Sequence, residues 1–279
     1  MNGQTQESTT TTLVIIMAGG LGKRMNSNIP KVLHKIFDRP MLIHVIESAL
    51  STNPYRICIV VGKYREIIES TINLSIENGS LSKQCRDRLV FIDQPQALGT
   101  GHAILCCRDY IVRERSHGRI DKIVILSGDV PFIKPDTINS LSGLCNQDIH
   151  ASILATRIQN PDGYGRIILS NGQHGVADIV ADTVVDIVED RDCSPEEKQI
   201  KLINGGIYCF NCDSLIKYIG LISNNNAQQE YYLTDIFRLM SNQGEQINYM
   251  CLSQEEQTQI IGVNTPEQLR DLERSAKLI

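Results

Sequence analysis

The chain has no surplus of positive charge: 27 Lys and Arg face 32 Asp and Glu, a formal net charge of −5. A general nucleic-acid binder needs a basic face, so nucleic acid is not an expected partner, and any clustered basic residues become local and purposeful. No run is long and apolar enough to span a bilayer, so no membrane is expected as a partner either. Residues 1–12 are polar and Thr-rich and lack the positively charged region that opens an export signal. They read as a disordered lead-in, and the chain as cytoplasmic. Without export, Asn73-Leu74-Ser75 and Asn78-Gly79-Ser80 are chance matches to the glycosylation pattern. The nine cysteines also lack a framework. Several sit inside apolar runs, as in Arg56-Ile57-Cys58-Ile59-Val60, where they act as small reduced hydrophobes. Cys209-Phe210-Asn211-Cys212 has no second ligand pair at matching spacing, so neither a zinc site nor a redox pair is expected there. With neither a repeat nor a linker in sight, residues 13–279 read as one domain. That is enough chain to bury a substantial core.

What the chain does have is a glycine loop. Leu13-Val14-Ile15-Ile16 reads as a buried strand, and Met17-Ala18-Gly19-Gly20-Leu21-Gly22-Lys23-Arg24-Met25 follows it directly, with Pro30-Lys31-Val32-Leu33 close behind. Gly19, Gly20 and Gly22 let the backbone bend sharply and present N–H groups to anionic oxygens. Arg24 and Lys31 add charge-assisted contacts, which suits a polyphosphate. Two familiar phosphate loops fail on spacing. A Walker loop needs Gly-Lys-Ser/Thr, but Arg24 follows Gly22-Lys23; the dinucleotide fingerprint needs a third glycine that is absent after Gly20-Leu21-Gly22.

Through the first half, short apolar runs at 13–17, 56–61, 89–92 and 122–126 read as strands. Amphipathic stretches at 41–50, 63–72, 100–110 and 135–144 read as helices between them. This alternation predicts an α/β fold with a mostly parallel sheet covered on both faces, binding ligands at the carboxyl ends of its strands. The glycine loop, 94–101 and Ser127-Gly128-Asp129 all fall at such ends. Segments 165–169 and 184–188 suggest an added β excursion turning at Asn171-Gly172. A further strand is expected over 203–210. Thr265-Pro266-Glu267-Gln268 is a start signal for a last helix through Leu278.

Asp129, at the end of an apolar strand and opposite a phosphate loop, suits Mg²⁺, a hard cation often held by one or two protein oxygens plus phosphates and water. Gln94 opens the stretch before Gly99-Thr100-Gly101-His102. Its amide carries donor and acceptor and can read a nucleobase edge, with Gly99 allowing close backbone approach. His102 is expected to be local packing or a solvent contact.

These residues and their order resemble the uridylyltransferase half of the bacterial N-acetylglucosamine-1-phosphate uridylyltransferases, in the sugar-nucleotidyltransferase superfamily. Further matching segments are Gly128-Asp129-Val130-Pro131, Gly163-Tyr164-Gly165-Arg166-Ile167, Ile187-Val188-Glu189, Ile203-Asn204-Gly205-Gly206, Asn224-Asn225-Asn226-Ala227, Glu230-Tyr231-Tyr232-Leu233-Thr234-Asp235 and Gly262-Val263-Asn264. The resemblance implies a Rossmann-like nucleotide-diphospho-sugar transferase fold. It also implies that UTP and N-acetylglucosamine-1-phosphate become UDP-N-acetylglucosamine and pyrophosphate, with Mg²⁺ as cofactor. On that basis Met17, Ala18, Gly19, Gly20 and Gly22 would line the nucleotide, Arg24 and Lys31 would be catalytic on the phosphates, and Gln94, Gly99 and Thr100 would read uracil. Asp129 and Asn264 would hold the metal, while Gly165, Glu189, Asn204, Tyr232 and Thr234 would surround the sugar.

Three departures stand out: Lys23 where Thr is usual, Ser127 in place of a bulkier residue, and extra chain at 177–182 before the sugar pocket. The β-helix acetyltransferase half of such proteins has no counterpart, so synthesis without acetylation is expected. Two alternatives remain at this stage. One is a nucleotidyltransferase for glucose-1-phosphate or another nucleotide. The other is a nucleotide-sugar sensor, which loss of Lys31, Asp129 or Asn264 would have favoured.

Overall fold

The computed structural model describes residues 11–20, 22–25, 27–170 and 183–276. The Asn171-Gly172 turn, the extra residues 177–182, the Lys23 side chain and the end of the last helix lie outside the described part. In chain order the elements are β1 (Thr12–Met17), β2 (Lys35–Ile36), β3 (Arg39–Pro40), α1 (Met41–Ser51), β4 (Arg56–Val61), α2 (Arg65–Glu77), β5 (Leu89–Asp93), α3 (Thr100–Leu105), α4 (Arg108–Ser116), β6 (Lys122–Ser127) and α5 (Pro135–Leu144). There follow β7 (Ala151–Arg157), β8 (Arg166–Leu169), β9 (Val184–Val188), β10 (Leu202–Asn211), α6 (Cys212–Ile219), α7 (Asp235–Ser241), β11 (Ile247–Leu252) and α8 (Pro266–Ala276).

β1 explains the layering. Its side chains alternate, with Leu13 and Ile15 entering one apolar cluster and Val14 and Ile16 the other, and all four are fully buried. A strand covered on both faces needs apolar residues at every position, hence the unbroken run. β1 pairs in parallel with β4 and β6, and β4 in parallel with β5. The order across the sheet is β11-β7-β10-β6-β1-β4-β5. β10 runs antiparallel to both β6 and β7, while β11 is parallel to β7. Across these seven strands the sheet is therefore mixed through one reversed strand. β8 pairs antiparallel with β9 and touches β10, forming the excursion expected from sequence.

The first strand begins at Thr12, one residue earlier than the apolar run alone predicts. The helix expected over 100–110 is two helices, α3 and α4, parted at Cys106 and Cys107. Cys209 lies in β10 and Cys212 starts α6; both are fully buried, as packing residues should be. No described helix is long and apolar enough to cross a membrane.

Parallel register sets the functional rim. Met17 lies beside both Val60 and Ser127, so the carboxyl ends of β1, β4 and β6 stand level. The loops leaving them, and the one leaving β5, open side by side where such sheets bind ligands.

Candidate active site

The glycine loop is shaped by what lies against it. Beyond Met17, Ala18 donates its N–H to Val60 O at 2.9 Å, and the chain turns at Gly19. A Cβ on Gly19 would meet Gln94 Oε1 at 2.6 Å and Gly62 N at 3.4 Å. Gly22 has φ of +58° and would place a Cβ 2.7 Å from Lys31 Cβ. Gly20 is exposed and has nothing within 4 Å of such a Cβ. Two glycines are thus demanded by the protein's own packing and one faces open space.

Next to the loop, Gln94 is 6% exposed and its N–H donates to Val61 O at 2.7 Å. Its side-chain Nε2 donates to Gly99 O at 3.1 Å and lies 3.3 Å from His102 Nδ1. Gly99 has φ of +111°, and a Cβ there would meet Tyr231 O at 2.5 Å. Its absent side chain therefore admits the chain's own 230–232 segment. Thr100 is exposed at the start of α3, where its Oγ1 accepts the Leu233 N–H at 3.0 Å.

Basic and metal-type residues converge from four places in the chain. Lys31 Nζ donates to Asp129 Oδ2, with which it pairs, and to Asn264 Oδ1 at 3.0 Å. Arg24 Nη2 donates to the same Asn264 oxygen at 3.1 Å. Ser127 Oγ donates to Asp129 Oδ1 at 2.6 Å, which fixes the carboxylate at the end of β6. Asn264 is held by the start of α8. Gln268 Oε1 accepts the N–H groups of Asn264 and Thr265, and Thr265 Oγ1 accepts that of Gln268. A small core of Ile36, Met41, Val263 and Leu272 pins this helix under the site. The reciprocal cap is the one that the Thr265-Pro266-Glu267-Gln268 pattern predicts.

A third cluster gathers around β8–β10. Asn204 N donates to Gly165 O at 2.9 Å; its side chain donates from Nδ2 to the Tyr208 hydroxyl and accepts from Gly206 N. A Cβ on Gly165 would lie 3.6 Å from Glu189 Oε2. Thr234 Oγ1 donates to Glu189 Oε1 at 2.9 Å, and the buried Tyr232 hydroxyl accepts from Gln228. Burial pushes the Glu189 carboxyl above its ordinary 4.5, against the opposing pull of the Thr234 hydroxyl. Asp186, Asp192, Asp235 and Arg238 join Glu189 and Tyr232 around a cavity of about 100 Å³. Segment 231–233 ties this cluster to the Gln94 side: Tyr231 N donates to Leu98 O, and Gly101 N to Tyr231 O.

The residues singled out from sequence thus assemble as three adjoining groups. Sequence reading missed Gly62, whose signal was the same as Gly19's, a glycine just beyond a buried strand. It also missed the anchoring of Asp129 by Ser127 and the contact of His102 with Gln94. A larger cavity of about 340 Å³ lies away from all this, at the opposite end of β6, lined by Arg115, Asp121, Lys122 and Cys145 among others. Its charged groups are already engaged: Arg115 pairs with Asp121 and Asp213, and Lys122 donates to the Ser142 carbonyl. Among the described residues, no group of three or more His, Cys, Asp or Glu is arranged to hold a metal.

Residues 13–257 match the family model described as nucleotidyl transferase. A mimivirus protein named "Probable UDP-N-acetylglucosamine pyrophosphorylase" is 36% identical over 267 residues, covering 95% of this chain and 96% of that one. The bifunctional protein GlmU of Clostridium kluyveri is 38% identical over 266 residues, covering 93% of this chain and 51% of the relative. The chain therefore spans about half of that bifunctional protein and nearly all of the viral one. Among solved structures, a UDP-glucose pyrophosphorylase complexed with UDP-glucose superposes with a TM-score of 0.71 at 17% identity, covering 96% of this chain and 99% of the other. At that identity the match speaks for the fold.

Proposed function

We propose that this chain, which belongs to the nucleotidyl transferase family, joins UTP to N-acetylglucosamine-1-phosphate, releasing pyrophosphate and UDP-N-acetylglucosamine. The observation that carries the reading is the placement of the Lys31 ammonium between Asp129 and Asn264, with Arg24 on the same asparagine oxygen, at the mouth of the glycine loop. The viral and clostridial relatives' names support the choice of sugar nucleotide.

The sugar phosphate is already an anion, so its oxygen needs no general base to attack the α-phosphorus in line as pyrophosphate departs. What the chain must supply is alignment and neutralisation of charge. Arg24 and Lys31 bring two cations to the triphosphate, Lys31 also lying near the sugar phosphate, and the loop N–H groups face the remaining oxygens. Gln94 reads the base. Glu189, Asn204, Tyr232 and Thr234, with Gly165 leaving room between them, hold the sugar and its acetamide.

Asp129 and Asn264 suit Mg²⁺, because their two hard oxygens already converge on a cation, the Lys31 ammonium. Bound there, the metal would supply charge neutralisation on phosphate oxygens.

A pyrophosphate-release assay across a panel of nucleotides and sugar phosphates tests the assignment. UTP with N-acetylglucosamine-1-phosphate should give the highest kcat/KM. Equal kcat/KM for glucose-1-phosphate would overturn the sugar assignment and leave nucleotidyl transfer standing. A selective acetamide contact is worth roughly 1–3 kcal/mol, or about 5- to 160-fold in that ratio.

A further inference from the structure

A primary amide has two N–H donors and one carbonyl acceptor, and its orientation decides which of them a ligand meets. In the buried Gln94 side chain, Nε2 donates to Gly99 O at 3.1 Å and faces His102 Nδ1 at 3.3 Å. Both hydrogens are thereby engaged inside the protein. The carbonyl oxygen is left pointing at the glycine loop, where a Cβ on Gly19 would meet it at 2.6 Å. Turning the amide over would set Oε1 against the Gly99 carbonyl and against the imidazole acceptor, leaving two oxygen acceptors facing each other without a proton.

His102 can accept at Nδ1 only when its proton sits on Nε2. That nitrogen faces Cys106 Sγ at 3.9 Å, one helical turn on, and the ring is steadied by Tyr231 at a centroid distance of 6.3 Å. The histidine therefore locks the amide from the side away from the loop.

We propose that His102 is a positioning residue that fixes the Gln94 amide with its carbonyl oxygen toward the base, so that the site selects a base carrying an imino N–H on the edge it presents. Uracil has that N–H at N3, whereas cytosine has a bare acceptor there. The inference rests on the reading of Gln94 as the base contact. A site built to accept a hydrogen bond discriminates against a ligand that cannot donate one, because its buried acceptor is left unpaired.

The test uses the full chain and two variants, His102→Phe, which keeps a ring beside Tyr231 without the acceptor, and His102→Asn, whose Oδ1 can stand near the place of Nδ1. For each, kcat/KM is measured with UTP and with CTP at one saturating sugar phosphate, alongside a thermal melt. His102→Phe should lower the UTP/CTP ratio about tenfold, mainly through KM for UTP, as expected for one hydrogen bond's loss of orientation. His102→Asn should restore most of the ratio. An unchanged ratio in His102→Phe would overturn the proposal, as would equal loss of both nucleotides in both variants with a lowered melt or insoluble protein, which would make His102 structural. A wild-type enzyme that uses UTP and CTP equally would instead overturn the base reading of Gln94 itself.

Discussion

Lys31 holds two contacts that a surface lysine would not have: it pairs with Asp129 and donates to Asn264, with its side chain only 17% exposed. A cation fixed where phosphate charge develops acts on the transition state more than on the bound substrate. Lys31→Ala and Arg24→Ala should therefore lower kcat on the order of 10²-fold, with smaller changes in KM for UTP. Steady-state kinetics reads this directly, and a pure KM effect in both variants would place them in ground-state binding instead. Glu189 makes a different case. Burial raises its carboxyl above 4.5, so the folded protein takes up that proton more readily than the unfolded chain. Ionised Glu189 thus costs stability at neutral pH, and the cost vanishes as pH falls through the raised value. Glu189→Gln should melt higher than wild type at about pH 7, with the gap closing toward about pH 4 where both side chains are neutral, while its KM for the sugar phosphate rises. A gap that widens on acidification would contradict the upward shift.

Glycines show how elements meet at the site, and two of them should respond differently to the same substitution. A Cβ on Gly19 strikes only a side-chain end, the Gln94 amide, which can yield without any backbone shift but must give up its bonds to Gly99 O and His102 to do so. Gly19→Ala should therefore leave the melting temperature within a few degrees of wild type but raise KM for UTP. Gly99 is hemmed by Tyr231 backbone at 2.5 Å and has φ of +111°, so Gly99→Ala must displace the 231–233 segment that joins the proposed base and sugar sides. Strain of that kind costs about 1–3 kcal/mol, visible as a lower melting temperature together with lost turnover. Comparable melts for the two variants would contradict this division. Gly205 belongs with Gly99: a Cβ there would meet Leu154 O at 2.7 Å, in the stretch where β10 shifts register and turns Asn204 toward Tyr208. The sequence shows that these glycines exist but not what they make room for. Gly99 looked like a loop residue opened for a ligand, and its neighbour Tyr231 lies far along the chain. His102 was equally opaque, because the bond to Gln94 depends on how the loop between them folds back.

At the scale of the whole molecule, the legible part was the repeated strand-and-helix unit of the first half. The strands there are apolar runs, β1, β4 and β6 buried on both faces and β5 part-buried at the edge, and each helix has its own periodicity, so β1, β4, β5, β6 and α5 lie where the pattern puts them. β7 and β11 were not legible. β7 carries Ser152 and Thr156, both fully buried, whose hydroxyls are satisfied by Leu141 O and Leu252 O from elsewhere in the fold. β11 lies at the sheet's edge with only its end residues Ile247 and Leu252 buried, and Asn248 interrupts its apolar run. The reversed direction of β10 depends on which strands it joins, and no local pattern encodes that. The site followed the same division. Arg24, Lys31, Gln94 and Asp129 were readable as chemistry from their own segments. Asn264, Glu189, Asn204, Tyr232 and Thr234 were reached only through resemblance, since the proposed metal and sugar contacts come from distant segments that leave no spacing to read. Whether these groups act as one site of nucleotidyl transfer is tested most directly by following both products of a single reaction. Wild-type protein given UTP, N-acetylglucosamine-1-phosphate and Mg²⁺ should form UDP-N-acetylglucosamine and pyrophosphate in equal amounts, and Asp129→Asn, melting as wild type does, should form very little of either. Absence of the sugar nucleotide with wild type, or equal rates for Asp129→Asn, would contradict the proposed site.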